Sequence, residues 1–302
     1  SKIIIKPSSL IASIVVFQRI ISYGYIAYTS TFIVISNSTR IPNIINFIRN
    51  EVSSHKSTSK LTSYPKKNIP YDYKFVFNKV LIEFDETKSS KNNIVNIGSF
   101  EINSGDFIGI KAASGTGKST LFDIILGLLK PTSGEYFLET KYKIDDYKNN
   151  ISFLEQKPSF FFDNIISNIL MREINKEIEL ETRALRIIEK IFKLLDVEYL
   201  LADNRIYSYS GQGCETLSGG EKQLITLIRI LYDNRKILIL DEPTASLDAE
   251  KRDLVISCLK KQSRSGKLVI MSSHNKSDFK YCDKILIKDD VSSPFSIINN
   301  YS

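Results

Sequence analysis

Between Phe107 and Leu129 the chain changes character twice, and few folds accommodate the result. An apolar run, Phe107-Ile108-Gly109-Ile110, leads into Ala112-Ala113-Ser114-Gly115-Thr116-Gly117-Lys118-Ser119-Thr120 and then into Leu121-Phe122-Asp123-Ile124-Ile125-Leu126-Gly127-Leu128-Leu129. This pattern predicts a strand, a glycine loop and a helix. Glycines let consecutive backbone N–H groups turn toward one anion, and the helix start adds the positive end of its dipole. In such a loop Lys118 reaches the β- and γ-phosphates of a nucleotide, and the Ser119 hydroxyl takes a place on Mg2+. The pattern G-x-x-x-x-G-K-[ST] has Ala112 where its first glycine stands, and the extra methyl group is expected to strain the turn.

Lys236-Ile237-Leu238-Ile239-Leu240 is apolar on both faces, which suits a central parallel strand between helix layers. It ends in Asp241-Glu242, and carboxylates at the C-terminal end of such a strand open into the crevice where ligands of open α/β sheets bind. Asp241 is a candidate Mg2+ ligand, and Glu242 is a candidate base for a water aimed at the γ-phosphate. Ahead of that strand lies Leu217-Ser218-Gly219-Gly220-Glu221. A serine-capped helix start with two glycine N–H groups is a second anion site.

Taken in this order, the three features resemble the nucleotide-binding domain of an ATP-binding-cassette (ABC) transporter. The resemblance implies that Ser218, Gly219 and Gly220 form the signature motif and close over the γ-phosphate of ATP bound to a second ABC domain, in a homodimer or a paired half-transporter. Gln156, in Ile151-Ser152-Phe153-Leu154-Glu155-Gln156-Lys157-Pro158, matches the Q-loop glutamine, which contacts Mg2+ and the attacking water. Pro243-Thr244-Ala245-Ser246-Leu247-Asp248 matches the D-loop. His274, one of only two histidines in the chain, follows the apolar strand Lys267-Leu268-Val269-Ile270-Met271 as the family's switch histidine does. ATP and Mg2+ are the implied ligands. The ATP-binding set is Phe84 as the adenine-stacking ring, Ala113, Ser114, Gly115, Thr116, Gly117, Lys118, Ser119 and Thr120. Ser119, Gln156 and Asp241 are the metal set, and Glu242, His274 and Gln156 the catalytic set.

Two further segments resemble exporters within that family. Pro158-Ser159-Phe160-Phe161-Phe162-Asp163-Asn164-Ile165-Ile166-Ser167-Asn168-Ile169 matches the segment that docks the coupling helices of a transmembrane domain, with its phenylalanines expected in that groove. Ser210-Gly211-Gln212-Gly213-Cys214-Glu215-Thr216 occupies the place of the exporter G-E-x-G loop, with Gln212 in place of the acid.

Charge divides the chain unevenly. Its formal net charge is +7, yet residues 1–70 hold nine Lys or Arg against the single acid Glu51, leaving 32 basic and 33 acidic residues for the remainder. The basic balance therefore belongs to the N-terminal piece, and no nucleic-acid partner is expected. Cys214, Cys258 and Cys282 are widely spaced without a metal-ligand pattern, as suits a reducing compartment. The apolar stretches Ile3–Phe17 and Ile20–Ile35 fall short of a clear transmembrane span. By resemblance, Leu10–Phe47 looks like the end of an exporter's last transmembrane helix and its cytoplasmic extension. Starting at Ser1 with no further such helices, the chain reads as a fragment or truncated form. Glu51–Pro70 has linker composition.

The domains are accordingly 1–70, a transmembrane-domain remnant with its linker, and 71–302, the ATP-binding domain. The expected fold is α/β: a phosphate-loop ATPase with a mostly parallel sheet, an antiparallel β subdomain from strands near Lys74–Phe84 and Ile94–Ile102, and a helical subdomain. Glu177–Leu195 supplies an amphipathic helix through Ile178, Leu180, Leu185, Ile187, Ile188, Ile191, Leu194 and Leu195. The implied function is ATP hydrolysis powering export at the cytoplasmic face of the cell membrane, of a lipid-linked saccharide, lipid or peptide. Two other readings stay open: a soluble ABC ATPase acting on DNA or ribosomes, and a regulatory module that binds nucleotide with little hydrolysis.

Overall fold

A computed structural model of the chain describes residues 62–64, 72–84, 94–142, 147, 149–174, 182–211 and 214–300. These belong to one unit, Leu61–Ser302. The expectations for Leu10–Phe47, for Ile178 and Leu180 and for Gln212 lie outside the described residues.

Among the described residues, ten strands form two sheets. The strands are β1 (Thr62–Tyr64), β2 (Tyr73–Glu83), β3 (Ile94–Asn103), β4 (Phe107–Ala112), β5 (Ser133–Thr140), β6 (Ile151–Leu154), β7 (Ile237–Leu240), β8 (Leu268–Ser272), β9 (Lys284–Lys288) and β10 (Ser296–Asn299). The first sheet has the order β1-β5-β2-β3, and the second β10-β9-β4-β8-β7-β6. Within the second, β9, β4, β8, β7 and β6 all run parallel, and only the β10–β9 pairing is antiparallel. In the first, β2 pairs antiparallel with both β3 and β5, while β1 adds to the edge in parallel with β5. Thr62–Tyr64 thus joins the sheet from inside the stretch whose composition reads as linker.

The parallel sheet is buried on both faces, and its residues alternate accordingly. Leu238 and Leu240 of β7, with Val269 and Met271 of β8, enter a core shared with the helices, whereas Ile237, Ile239, Leu268 and Ile270 enter a core shared with the antiparallel sheet. That second core is aromatic: Phe77 stacks on Phe100 at 4.5 Å and lies 4.9 Å from Tyr136. On the helix side β4 carries Gly109, where a Cβ would lie 2.4 Å from the Phe279 ring.

Helices α1 (Lys118–Ile125), α2 (Ile165–Leu170), α3 (Thr182–Leu194), α4 (Gly219–Asp233) and α5 (Ala249–Arg264) complete the layers. The amphipathic segment is α3, though its buried stripe is Ala184, Ile188, Ile191 and Phe192, running on to Leu195. Ile187 is 37% exposed. It sits about 100° around the helix from Ile188 and falls off the edge of the stripe. No helix among the described residues is long and apolar enough to cross a membrane.

The Phe160–Phe162 run does not present three rings outward. Phe161 is 65% exposed, while Phe160 packs against the helical core beneath the Arg229 guanidinium at 5.7 Å. The backbone there is held by buried Asn168. Its Oδ1 accepts from the N–H groups of Phe161 and Phe162 at 2.9 and 3.3 Å, and its Nδ2 donates to the carbonyls of Phe162 and Asn164 at 2.7 and 2.9 Å. The same amide approaches the Cys214 thiol at 3.3 Å, joining this segment to the chain just ahead of α4.

Removing that amide leaves several buried groups unpaired. Asn168→Ala should cost about 2–3 kcal/mol of unfolding free energy, read as a lowered midpoint in urea denaturation with unchanged slope. A loss within error of zero would mean that the segment holds its shape without Asn168.

Candidate nucleotide site

The loop between β4 and α1 reverses on two glycines in left-handed backbone, Gly115 at φ +78° and Gly117 at φ +111°. Gly117 also has no room for a side chain, since a Cβ would lie 2.5 Å from Val95 Cγ1 on β3. The strain expected at Ala112 is not found. Ala112 is the last residue of β4, paired with Lys288 of β9 and absent from the positive-φ residues, so its methyl group simply joins the core. Its position calls for ordinary strand backbone, which any L residue adopts. Thr116 is buried and donates through Oγ1 to the Ala113 carbonyl at 2.7 Å. Ala113 and Thr116 thus brace the loop and do not line the pocket beneath it.

That pocket has a volume of about 440 Å3. Ser114, Gly115, Gly117, Lys118, Ser119 and Thr120 of the loop and α1 line it, together with Gln156, Asp241, Glu242 and His274. Phe84, just past the end of β2 and 44% exposed, stands at its edge with Val95. An exposed aromatic face beside a phosphate loop is available for a base to stack on.

Three charged or polar ends converge in this pocket. His274 Nε2 lies 2.9 Å from Glu242 Oε1 and 3.3 Å from Lys118 Nζ, and Lys118 Nζ lies 3.8 Å from the same Glu242 oxygen. Glu242 takes a left-handed backbone conformation, φ +52°. Two side chains that sequence reasoning missed fix it there. The Ser272 hydroxyl, at the end of β8, accepts from the Glu242 N–H at 3.0 Å and donates to Asp241 Oδ1 at 2.5 Å. Gln223 of α4 donates to the Glu242 carbonyl at 2.6 Å and accepts from the Ser246 N–H at 2.8 Å. A third missed residue, buried Asp278, accepts from the hydroxyls of Thr244 at 2.8 Å and Ser273 at 2.6 Å, tying the loop after β7 to the loop after β8. The only sequence signal for Gln223 is a polar residue on an otherwise apolar helix face. Asp278 gives none.

Ser218, Gly219 and Gly220 are not part of this pocket. Ser218 caps α4 with its hydroxyl accepting from the Glu221 N–H at 3.2 Å, and the Glu221 carboxylate reaches back to the Ser218 N–H at 2.9 Å. Burial alone would raise the Glu221 carboxyl, but the hydrogen bonds from Ser218 and the Arg205 guanidinium, 2.8 Å away, hold it below the ordinary carboxylate value. Ser218 and Gly219 are exposed, and a Cβ on Gly220 would press to 3.0 Å from the Ser246 carbonyl. Asp248 caps α5, accepting from the Lys251 N–H at 2.8 Å.

Strand, glycine loop and helix on a parallel sheet, with two acids at the end of β7, one strand beyond β8, define a phosphate-loop nucleotide-binding ATPase. Comparison with known proteins refines this class. The family model described as ABC transporter matches residues 95–245, and a model described as AAA domain, putative AbiEii toxin, Type IV TA system, matches residues 214–277. HrtA of Staphylococcus epidermidis, provisionally described as a hemin import ATP-binding protein, is 32% identical over 213 residues, covering 66% of this chain and 89% of that protein. RP696 of Rickettsia prowazekii, provisionally described as an export ATP-binding/permease protein, is 31% identical over 243 residues, covering 76% of this chain and 41% of that protein. Among solved structures, a bacterial Atm1-family ABC exporter with ATP bound aligns at a TM-score of 0.59 and 21% identity, over 82% of this chain and 43% of that one. The chain belongs to the ABC transporter family, as an ATP-binding and ATP-hydrolysing domain.

Gly117→Ala places a methyl group against Val95 in backbone that L residues rarely adopt. It should weaken ATP binding by at least about tenfold, some 1.4 kcal/mol, in an equilibrium titration with a fluorescent ATP analogue. Unchanged affinity would show that the phosphate contacts lie elsewhere.

Proposed function

We propose that this chain is the ATP-hydrolysing domain of an exporter-type ABC transporter and that two copies, or this domain and a paired half-transporter's, enclose ATP between them. The observation that carries the reading is the meeting of Lys118, Glu242 and His274 within 3.8 Å in a pocket lined by the glycine loop. The signature serine and glycines lie outside that pocket with Ser218 and Gly219 exposed. A helix start turned to solvent is suited to a phosphate brought by another subunit.

Within one site, the N–H groups of Ser114 to Thr120 and the Lys118 ammonium hold the phosphates, and the Phe84 ring stacks on adenine. Glu242 takes a proton from the attacking water, Gln156 orients that water, and His274 steadies the γ-phosphate. Ser119, Gln156 and Asp241 offer hydroxyl, amide and carboxylate oxygens, the hard donors that Mg2+ prefers. No cluster of three His, Cys, Asp or Glu able to hold a metal occurs among the described residues. Held by Ser119, Gln156 and Asp241, Mg2+ would supply charge neutralisation to the transferring phosphoryl group.

Exporter type rests on the Pro158–Ile169 segment, whose exposed Phe161 is available to the coupling helix of a transmembrane partner. Residues 1–70 then belong to the membrane domain's tail and linker, residues 71–302 to the ATPase, and the assembly to the cytoplasmic face of the cell membrane. The substrate class is a lipid-linked saccharide, lipid or peptide. A second reading, a separate ATPase subunit serving a permease on another chain, is favoured by the 89% coverage of HrtA. Extraction of the native protein separates the two. Release by a salt wash favours the separate subunit, and a need for detergent favours the fused exporter.

Steady-state ATPase activity should rise faster than linearly with protein concentration, because each site needs two copies. Glu242→Gln should keep ATP binding and lose turnover by about 100-fold or more. Linear dependence would remove the two-copy site, and undiminished turnover would remove Glu242 as base.

A further inference from the structure

Lys288, at the end of β9, is 2% exposed. Its ammonium donates to the Asn96 carbonyl of β3 and lies 5.0 Å from the centre of the Phe295 ring. No carboxylate among the described residues pairs with it at salt-bridge distance. Its neighbours explain where it points. Lys288 is in register with Ala112, where β4 gives way to the phosphate loop, and a Cβ built on Gly117 would lie 3.5 Å from Lys288 Nζ. The charge therefore sits immediately behind the turn whose N–H groups begin α1.

A buried cation without a carboxylate partner is costly, so something else must account for it. Burial pushes the Lys288 ammonium down to about 8, with the Asp290 charge pulling the other way. The remaining groups around it are uncharged: Ala112 on β4, Asn96 on β3, and Phe295. Of the nearby cations, Lys118 sends its ammonium to Glu242 and His274, and exposed Lys111 alternates to the other face of β4.

We propose that Lys288 is a second cation of the phosphate site, a positioning residue that backs Gly117 and lends its charge to bound nucleotide, so that ATP binding draws in a proton. The proposal rests on ATP's phosphates lying in the Ser114–Thr120 loop. Its sign is fixed by the chemistry. In the free protein Lys288 loses its charge as pH rises through about 8. Nearby phosphates favour the charged form, so binding takes up a proton in that range and weakens above it.

Calorimetric titration of the full chain with Mg2+-ATP, in Tris and in HEPES, reads proton uptake from the difference in heats. For a one-unit shift, the wild-type chain should take up about 0.4 proton per ATP at about pH 8, and its Kd should weaken up to about tenfold between about pH 7 and about pH 10. Lys288→Met keeps the volume without the charge. It should show no uptake, several-fold weaker binding at neutral pH and a flat profile. Because the lowered lysine costs stability below about pH 8 and the cost fades as pH rises toward the unfolded value, the variant should melt no lower than wild type. Lost charge is thereby distinguished from lost fold. Equal uptake and equal profiles in the two proteins would overturn the proposal. If Lys118→Ala abolishes binding while Lys288→Met behaves as wild type, the phosphate site stands and Lys288 alone is discarded. A wild-type chain that binds no ATP removes both.

Discussion

Glu242 stands in left-handed backbone, a conformation that costs a non-glycine residue about 1–3 kcal/mol unless its surroundings impose it. Here they do, from two directions: Ser272 at the end of β8 holds its N–H, and Gln223 on α4 holds its carbonyl. The reversal this permits carries the chain from β7 into the Pro243–Asp248 loop and brings the carboxylate against Lys118 and His274. It can persist only if β7 and β8 are paired and α4 is packed on the sheet. The geometry of the candidate site is thus a product of the whole parallel layer rather than of one loop, and Ile237 to Leu240 and Leu268 to Met271 are fully buried within it.

What could be read in the sequence was what chemistry or periodicity repeats locally. The glycine loop, the apolar run before Asp241, the Ser218 cap and the strands near Lys74–Phe84 and Ile94–Ile102 each follow from residues within a few positions of one another. The helical stripe was legible in kind, but adjacent apolar residues such as Ile187 and Ile188 cannot both face inward, and only packing decides between them. Ala112 was misjudged because the motif names a residue type, while the strain depends on φ, and strand pairing with Lys288 keeps φ ordinary. Gln223, Ser272 and Asp278 were invisible for another reason. Each acts on a group many positions away in sequence, so its role exists only once the fold has closed.

The site is also unequal in its finish. Everything that would hold phosphate from below is preassembled within one chain, including the Val95 contact that forbids a side chain at Gly117. The signature helix start is equally ordered, with its capping box closed and Glu221 held by Arg205, yet it lies outside the pocket. The capping box stabilises this helix start within the single chain, and it leaves Ser218 and Gly219 exposed. ABC ATPase domains pair as dimers, and the two-copy reading proposed above gives that exposed helix start a phosphate to meet.

The short strand Thr62–Tyr64 anchors the chain to the edge of the antiparallel sheet. It runs parallel to β5, so a pull directed along its own axis would load the pairings of all three residues together rather than peel them one at a time. β5 in turn pairs with β2, whose far end leads to Phe84. Thr62–Tyr64 is thereby linked through β5 and β2 to the sheet whose end leads to Phe84 beside the candidate pocket, apart from the surface around Phe161.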